Sequence, residues 1–180
     1  MHLIILDRDG VINQDSDDFI KSPNEWQPIT GSLDAIARLN QAQYRVVIAS
    51  NQSGIARGLF SIETLNQIHD KMHLMLADLG GKIDAIFFCP HGPDEQCVCR
   101  KPKPGLFEEI ALRFNHDLNK VYTIGDSLRD LQAAYAAGSL PILVKTGKGQ
   151  QTQQVLKTYS ELANTPVYPD LASAVDNILN

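Results

Sequence analysis

The sequence predicts an α/β fold in which a parallel sheet carries helices on both faces. Three observations indicate this fold: short apolar runs that read as buried strands, helical patterns that alternate with them, and four polar segments placed after strands or in loops. Strand–helix–strand units of this kind place successive strands in parallel. Because ligands of such sheets bind beyond the carboxyl ends of the strands, we expect the functional residues there.

Six strands are predicted from short apolar runs bounded by turn signals. The first run is rich in Ile and Leu and ends abruptly at two aspartates and a glycine. In chain order the predicted strands cover residues 2–6, 45–50, 83–89, 121–125, 141–145 and 167–168.

Six helices are predicted between and after these strands, at residues 33–41, 62–79, 105–115, 128–137, 151–163 and 171–179. Ser61 and Asp170 are placed as N-caps, and Gly138 lies where a helix C-terminal glycine is expected. An apolar stripe predicts core packing for the second helix: Leu65, Ile68, Met72, Met75, Leu76 and Leu79. His69 and His73 flank this stripe, and we expect both at the surface.

Length and composition favour one globular domain spanning residues 1–180. Hydrophobic residues make up 43% of the 180 residues, which is enough for a packed core. The net charge of -5 argues against broad nucleic-acid or anionic-membrane binding. The chain has no apolar run of about 18 residues and no signal-like segment, so a cytoplasmic protein without membrane partners is expected. A monomer is the default expectation.

Asp7 and Asp9 follow the first predicted strand directly. Alternation along a strand sends both carboxylates to one side and Arg8 to the other. Two like charges held close together repel unless a cation neutralises them, so the pair favours a metal site. A turn or capping pair is the alternative.

Three further polar segments supply what a phosphoryl transfer needs. The Ser50 hydroxyl and the nearby backbone N–H groups of Ser50 and Asn51 can bind phosphate oxygens, and Lys101 adds a fixed positive charge. Asp126, which follows the fourth strand, completes an oxygen-ligand set of the kind that Mg²⁺ prefers. With these groups, Asp7 can attack phosphorus and Asp9 can transfer protons.

In these four segments the sequence resembles the haloacid dehalogenase (HAD) superfamily of phosphohydrolases. D-x-D-G at Asp7, a hydroxyl residue at Ser50, a lysine at Lys101 and G-D-S-x-x-D ending at Asp130 occur in the family's order over most of the chain. The resemblance implies a Rossmann-like HAD fold, and the chain has no insertion long enough for a separate cap domain.

The resemblance also implies roles for the aspartates. Asp7 is then the nucleophile and a magnesium ligand, and Asp9 is the acid/base, with its backbone carbonyl on the metal. Asp126 is a further magnesium ligand. Asp130 is either an outer ligand of the metal or an aspartate on the helix surface or in its N-terminal turn.

A cluster of three cysteines and one histidine predicts a structural zinc site. Cys89, His91, Cys97 and Cys99 form a set suited to tetrahedral Zn²⁺, with no position left for substrate. The alternative is three reduced thiols beside a surface histidine. Because Arg100 and Lys101 follow Cys99 directly, zinc would order the loop that delivers them.

This loop resembles one HAD branch, which contains heptose 1,7-bisphosphate 7-phosphatases and histidinol-phosphate phosphatases. The N-Q-S-G-I-A-R-G segment at residues 51–58 is similar to the heptose enzymes, whereas the five-residue spacer between His91 and Cys97 is similar to the histidinol-phosphate enzymes. The substrate-facing segment receives more weight, because loop lengths vary freely. Both kinds of enzyme act on small phosphorylated molecules.

Candidate substrate residues follow from this comparison and from position. Gln52 and Ser53 belong to the substrate-facing segment, and Arg57 and Arg100 are candidates for a second phosphate. A solvated loop arginine is the alternative for Arg57. In the acidic run after the first motif, Asp15 and Asp18 are candidates for sugar hydroxyls, and Asp17 is expected in solvent. Gly147 and Gly149 are expected in a plain turn.

The resemblance therefore implies a magnesium-dependent phosphomonoesterase that removes the 7-phosphate of a heptose 1,7-bisphosphate, a small phosphosugar. A histidinol-phosphate phosphatase is the alternative within the class. Two further hypotheses stay open at this point: a non-catalytic, zinc-stabilised phosphosugar-binding module, and a phosphotransferase.

Overall fold

The computed structural model describes residues 2–180, and its centre is a six-stranded sheet. The strands are β1 His2–Leu6, β2 Tyr44–Asn51, β3 Ala85–Cys89, β4 Tyr122–Gly125, β5 Leu140–Val144 and β6 Val167–Tyr168. They lie in the order β3-β2-β1-β4-β5-β6, and every neighbouring pair is parallel. The predicted parallel sheet is confirmed.

Six α-helices connect and follow the strands: α1 Ser32–Gln41, α2 Ile62–Ala77, α3 Gly105–Phe114, α4 Leu128–Ala136, α5 Gly149–Leu156 and α6 Leu171–Leu179. A short 3-10 turn at Leu118–Lys120 precedes β4. The predicted caps are confirmed, since Ser61 accepts from Thr64 N, Asp170 accepts from Ser173 N, and Gly138 has φ +78°. Within residues 2–180, no helix combines the length and the hydropathy needed to cross a membrane.

The two faces of the sheet bury alternate residues of each strand, as strand geometry requires. Ile4 and Leu6 of β1 pack against α1, α2 and α6, whereas Leu3 and Ile5 pack against α3 and α4. All four side chains are at most 5% exposed. Helices therefore cover both faces, as the sequence predicts.

Strand β1 lies at the centre of the sheet, where the order of the strands changes direction: β2 and β3 lie on one side of β1, and β4, β5 and β6 lie on the other. Both β2 and β4 pair with β1, and Asp7 N continues the ladder by donating to Ile124 O at 2.9 Å. The residues that follow these three strands consequently meet at one edge of the sheet, the usual ligand position in this architecture.

The predicted helix at residues 151–163 is wrong at both ends. Helix α5 begins at Gly149 and ends at Leu156, and turns follow to residue 164. Leu156 and Leu162 both pack against Leu131 and Leu143. Because residues six apart lie on different sides of a helix, both leucines reach this cluster only if the helix ends between them.

The segment at residues 13–30 lies beside the carboxyl end of the sheet and is held by α2. Lys71 Nζ donates to Pro23 O and Trp26 O, both at 2.8 Å, and the Trp26 side chain is fully buried. Residues 2–180 contain no separate cap domain, so this segment contributes to the wall of the site directly.

Candidate active site

A cavity of about 250 Å³ lies at the carboxyl ends of β1, β2 and β4. It brings together most of the predicted site residues. Its lining includes Asp7, Asp9, Asp126, Asp130, Ser50, Asn51, Gln52, Ser53, Arg57, Arg100, Lys101, Arg129, Lys148, Asp15, Ser16, Asp17 and Phe19.

Lys101 is the central cation of this cavity and is only 2% exposed. Its ammonium group donates to Asp7 Oδ1 at 2.9 Å and to the Ala49 carbonyl at 2.8 Å, and it lies 2.6 Å from Asp130 Oδ1. Burial would lower the pKa of Lys101, but the charges of Asp130 and Asp7 raise it above its usual range. All three donors of the ammonium group are used, so its position is well defined.

Asp130 is a buried member of the site and not a helix-surface residue. Its Oδ2 accepts from Ser127 N at 3.0 Å and from Ser127 Oγ at 2.7 Å, which closes a capping box on α4. Burial would raise the pKa of Asp130, but Lys101 and Ser127 hold it below its usual value. Of the predicted alternatives, the helix surface is excluded, and the N-terminal-turn position is confirmed.

Asp7, Asp126 and Asp130 each place one carboxylate oxygen within 4.8 Å of the others. Burial and the charges of neighbouring aspartates raise the pKa of Asp7 to about 7 and that of Asp126 to about 9. Such repulsion between oxygen ligands is relieved by a hard cation, so the donor set fits Mg²⁺.

Two glycines allow the chain to approach Asp126 closely. Gly10 at φ +84° and Gly147 at φ +54° both face the Asp126 carboxylate, which would collide with a Cβ atom at either position. Lys148 N then donates to Asp126 Oδ2 at 2.7 Å. The predicted turn at residues 147–149 is therefore part of the site, and Gly149 begins α5.

Arg8 does not point away from Asp9, contrary to the prediction from strand alternation. Strand β1 ends at Leu6, and the Arg8 carbonyl accepts from Ile12 N in a turn, so a two-residue period no longer applies. Arg8 Nη2 donates to Asp9 Oδ1 and Oδ2 at 2.9 and 3.0 Å. Burial would raise the pKa of Asp9, but Arg8, Asn13 and Gln52 hold it below its ordinary value.

Residues at the end of β2 and directly after it contact Asp9 and Lys101. Gln52 Nε2 donates to Asp9 Oδ2 at 2.9 Å and to Ser50 Oγ at 2.8 Å. Asn51 accepts from Lys101 N at 3.0 Å and donates to Lys101 O at 3.1 Å, which fixes the backbone that carries the lysine. The Gln52 backbone N–H is engaged by Cys89 O, so Gln52 acts here through its side chain.

Three arginines line the cavity: Arg57, Arg100 and Arg129. Burial and the nearby charges of Arg129 and Arg57 lower the pKa of Arg100, as expected for a cluster of like charges. Arg100 donates to His91 O at 3.2 Å, and the Arg57 guanidinium lies 5.7 Å from the Phe19 ring centroid. Arg129 is an addition that the sequence analysis missed.

The acidic run after the first motif is only partly placed as predicted. Asp15 lines the cavity, and its Oδ2 lies 3.4 Å from Lys148 Nζ. Asp18 is exposed and does not line the cavity, so its predicted position is wrong. Asp17 is exposed, as predicted, although it also lines the cavity. Asp18 N donates to Ser16 Oγ in a turn that precedes Phe19 at φ +66°.

The four predicted zinc ligands lie together beside this cavity. The ligand atoms of Cys89, His91, Cys97 and Cys99 are within 4.8 Å of one another. Cys89 Sγ lies 3.1 Å from Cys99 Sγ and 3.7 Å from Cys97 Sγ, and His91 Nδ1 lies 3.3 Å from Cys99 Sγ. Bonds of about 2.0–2.3 Å around a tetrahedral zinc hold ligand atoms about 3.5–3.8 Å apart. All three cysteines are free thiols, and burial raises the pKa of Cys89 to about 12. The residues therefore fit a tetrahedral cation.

His69 is buried, so the prediction that both histidines of α2 lie at the surface is wrong for this residue. It is 7% exposed, and its Nε2 lies 3.2 Å from Arg8 Nη1. The position of His69 in the sequence indicates its burial, because His69 lies four residues after Leu65 and three before Met72, inside the apolar stripe. His73 is half-buried.

Comparison with known proteins defines the class first. Residues 98–174 match the family model described as HAD-hydrolase-like. Together with the parallel sheet and the Asp7–Lys101–Asp126 site, this match identifies a HAD-type phosphatase.

The particular family follows from close relatives. A D-glycero-beta-D-manno-heptose-1,7-bisphosphate 7-phosphatase of Bordetella bronchiseptica is 59% identical, covering 99% of this chain and 98% of the relative. The same-named protein of Pseudomonas putida is 49% identical, with 99% and 100% covered. The chain belongs to this family of heptose bisphosphate phosphatases.

Solved structures agree with this assignment. The B. bronchiseptica D,D-heptose 1,7-bisphosphate phosphatase, complexed with magnesium and phosphate, has a TM-score of 0.95 at 58% identity, with 99% of this chain and 98% of that chain covered. The Burkholderia thailandensis enzyme has a TM-score of 0.78 at 45% identity, with 100% and 99% covered.

Proposed function

We propose that this protein hydrolyses the 7-phosphate of D-glycero-β-D-manno-heptose 1,7-bisphosphate through an aspartyl-phosphate on Asp7. One observation carries the proposal: a single cavity joins Asp7 and its lysine to three arginines. A substrate with two phosphates needs both a reacting centre and a second anion site, and this cavity offers the two together. The relatives' shared name supports the choice of sugar and the β anomer.

The carboxylates of Asp7 and Asp126, with the Asp9 backbone carbonyl that the family resemblance implies, would hold Mg²⁺. When bound, Mg²⁺ would offset the negative charge of the phosphate and of the transition state. Asp130, which is occupied by Lys101 and Ser127, acts by fixing Lys101.

The covalent steps use Asp7 and Asp9. The Asp7 carboxylate attacks phosphorus while the bond to the sugar oxygen breaks. Asp9 is ionised in the ligand-free site, so it must take up a proton in the substrate complex, and it then gives this proton to the sugar oxygen. Asp9 then takes a proton from water, which attacks the aspartyl-phosphate and releases phosphate. Lys101, which also donates to the Ala49 carbonyl, keeps Asp7 in place through both steps.

Groups around Ser50 would bind the oxygens of the reacting phosphate. The Ser50 hydroxyl already accepts from Gln52, so its own proton can be donated to the transferring phosphate. Ser53 lines the same wall. Arg57, Arg100 and Arg129 would bind the second phosphate, since guanidinium groups pair bidentately with phosphate oxygens. Asp15, which lines the same cavity, would meet sugar hydroxyls.

We also propose that Cys89, His91, Cys97 and Cys99 bind one structural Zn²⁺, and that the chain functions as a cytoplasmic, monomeric single domain. The zinc would hold the loop that leads into Arg100 and Lys101. The contact of Arg100 with His91 O supports this coupling between the cluster and the substrate site.

A side-by-side kinetic assay tests the proposed function. The substrates are heptose 1,7-bisphosphate in each anomeric form, fructose 1,6-bisphosphate and histidinol phosphate. We expect the highest kcat/KM for the β-heptose, with phosphorus NMR showing that the anomeric phosphate remains. An equal or higher kcat/KM for histidinol phosphate would show that the protein is a histidinol-phosphate phosphatase instead. Binding of heptose bisphosphate without turnover would indicate the non-catalytic alternative.

A further inference from the structure

A buried chain of contacts links the acid/base residue to helix α2. Arg8 is 0% exposed and His69 is 7% exposed. Arg8 Nη1 lies 3.2 Å from His69 Nε2, while Arg8 Nη2 and Nε donate to the Asp9 carboxylate at 2.9 to 3.1 Å. The guanidinium thus has Asp9 on one edge and His69 on another.

The chemistry of this contact fixes the protonation state of His69. A guanidinium has donors and no acceptor, so the facing imidazole nitrogen must carry a lone pair. Burial, together with the charges of Arg8 and His73, lowers the pKa of His69 to about 3. The imidazole is therefore neutral at physiological pH, with its proton on Nδ1.

We propose that His69 is a positioning residue for the acid/base group Asp9, acting through Arg8; this rests on the proposed role of Asp9. Arg8 Nη2 also donates to Gln52 Oε1 at 3.3 Å, which leaves Nη1 for His69. The imidazole fixes the orientation of the guanidinium plane, and the guanidinium in turn fixes the orientation of the Asp9 carboxylate. Without an acceptor at this point, a buried donor is left unpaired and the guanidinium can rotate.

The proposed role predicts a dependence on the leaving group. An alkyl alcohol such as the sugar hydroxyl leaves slowly unless it is protonated, whereas 4-nitrophenolate leaves without a proton. Because kcat/KM reports the steps through departure of the alcohol, a misplaced general acid lowers kcat/KM for alkyl phosphates selectively. General disorder of the site lowers it for both kinds of substrate.

The test uses His69→Leu, which removes the acceptor, and His69→Gln, whose amide oxygen can occupy the Nε2 position. His73→Leu, on the same helix, is the matched control. We expect His69→Leu to lose about 10- to 100-fold in kcat/KM on heptose 1,7-bisphosphate and less than about threefold on 4-nitrophenyl phosphate. His69→Gln should regain most of the loss, and His73→Leu should match the parent on both substrates.

Equal losses on the two substrates, or a His69→Gln protein as impaired as His69→Leu, would overturn the proposal. Melting curves establish that each variant is folded at the assay temperature. Should His69→Leu fail to fold, His69→Asn supplies the same comparison, because its shorter amide does not reach Arg8. If the parent does not hydrolyse heptose bisphosphate, the proposed function fails, and fructose 1,6-bisphosphate serves as the alkyl substrate for testing His69.

Discussion

The carboxylate site and the cysteine–histidine cluster lie side by side in the structure, yet different forces order them. Asp126, Asp130 and Lys101 are each at most 3% exposed and lie against the core, where opposite charges and glycine-enabled contacts hold them. The cluster at residues 89–99 lies mostly in a loop, and only Cys89 among its ligands is buried. We infer that the fold itself builds the first region, whereas the second region would be completed by the proposed zinc.

Lys101 lies in the carboxylate site and follows the last residue of the cluster, Cys99, by two positions, and its replacement should give the largest effect. In Lys101→Met, Asp7 and Asp130 remain buried without their cation, so we expect a loss of about 3–5 kcal/mol in the free energy of unfolding. Turnover should fall by about 10³-fold, because a fixed charge at the phosphate is lost. Urea unfolding and kcat measure the two effects. Lys157→Met, at an exposed site beyond α5, is the control and should match the parent.

Removal of zinc should disturb the loop and leave the sheet intact. We expect a zinc chelator to lower Tm by about 10 °C, which corresponds to about 3 kcal/mol for a domain of this size, and to reduce activity as Arg100 and Lys101 lose their support. Calorimetry and metal analysis check this, with added Zn²⁺ restoring both properties. His91→Ala should reproduce the effect, and His116→Ala should not. Zinc-free protein with unchanged Tm would refute the cluster's proposed role.

The arginines that line the cavity should affect substrate binding more than chemistry. We expect Arg129→Ala and Arg100→Ala each to raise KM for heptose bisphosphate about tenfold, since a charge-assisted hydrogen bond is lost. KM for a monophosphate should change little. Steady-state kinetics on both substrates provides the measurement, with Arg113→Ala on the exposed end of α3 as the control. Equal changes for both substrates would place these arginines at the reacting phosphate instead.

The pH dependence of stability should show the smallest effect. Above about pH 6.5, where His69 is neutral in both the folded and the unfolded state, it should come from the carboxylate site. In the metal-free protein the folded-state pKa values of Asp7 and Asp126 are about 7 and about 9, above the ordinary value of 3.8. Between these limits the folded state binds more protons than the unfolded chain, so their contribution to stability falls as pH rises. We expect Tm to decrease by a few degrees from about pH 6.5 to about pH 9.

Magnesium provides the control for this decrease in Tm, because its binding favours the ionised forms of Asp7 and Asp126. Added Mg²⁺ should remove most of the decrease in Tm, and Asp126→Asn should weaken both the decrease and the rescue. A metal-free protein whose Tm rises steadily over this pH range would contradict the assigned shifts.

Local patterns predicted most of the fold, because strand alternation and turn signals act over a few residues. They placed Asp7 and Asp126 beyond adjacent strands, and the cysteine spacing placed the four cluster residues together. The helix end at Leu156 was missed, because it depends on Leu162 reaching a cluster formed by other elements.

The contacts of Arg8 and the position of Arg129 in the cavity were missed for a related reason. Arg8 and His69 are 61 residues apart, and no local pattern records their meeting. Arg129 lies at one of the two variable positions of the fourth motif, so the motif does not predict a role for it. Only the structure shows that it lines the cavity near Arg100. Charged residues at variable positions of a motif that face the site are the ones that sequence patterns overlook.

The central claim is that Asp7 becomes covalently phosphorylated in the cavity that Lys101 organises. Acid quenching during turnover of heptose 1,7-bisphosphate, followed by peptide mass spectrometry, tests it most directly. We predict one phosphoryl group on the peptide that contains Asp7, and in Asp7→Asn no adduct, an intact fold and turnover reduced by about 10⁴-fold or more. A phosphoryl group on another residue, or undiminished turnover in Asp7→Asn, would contradict the account.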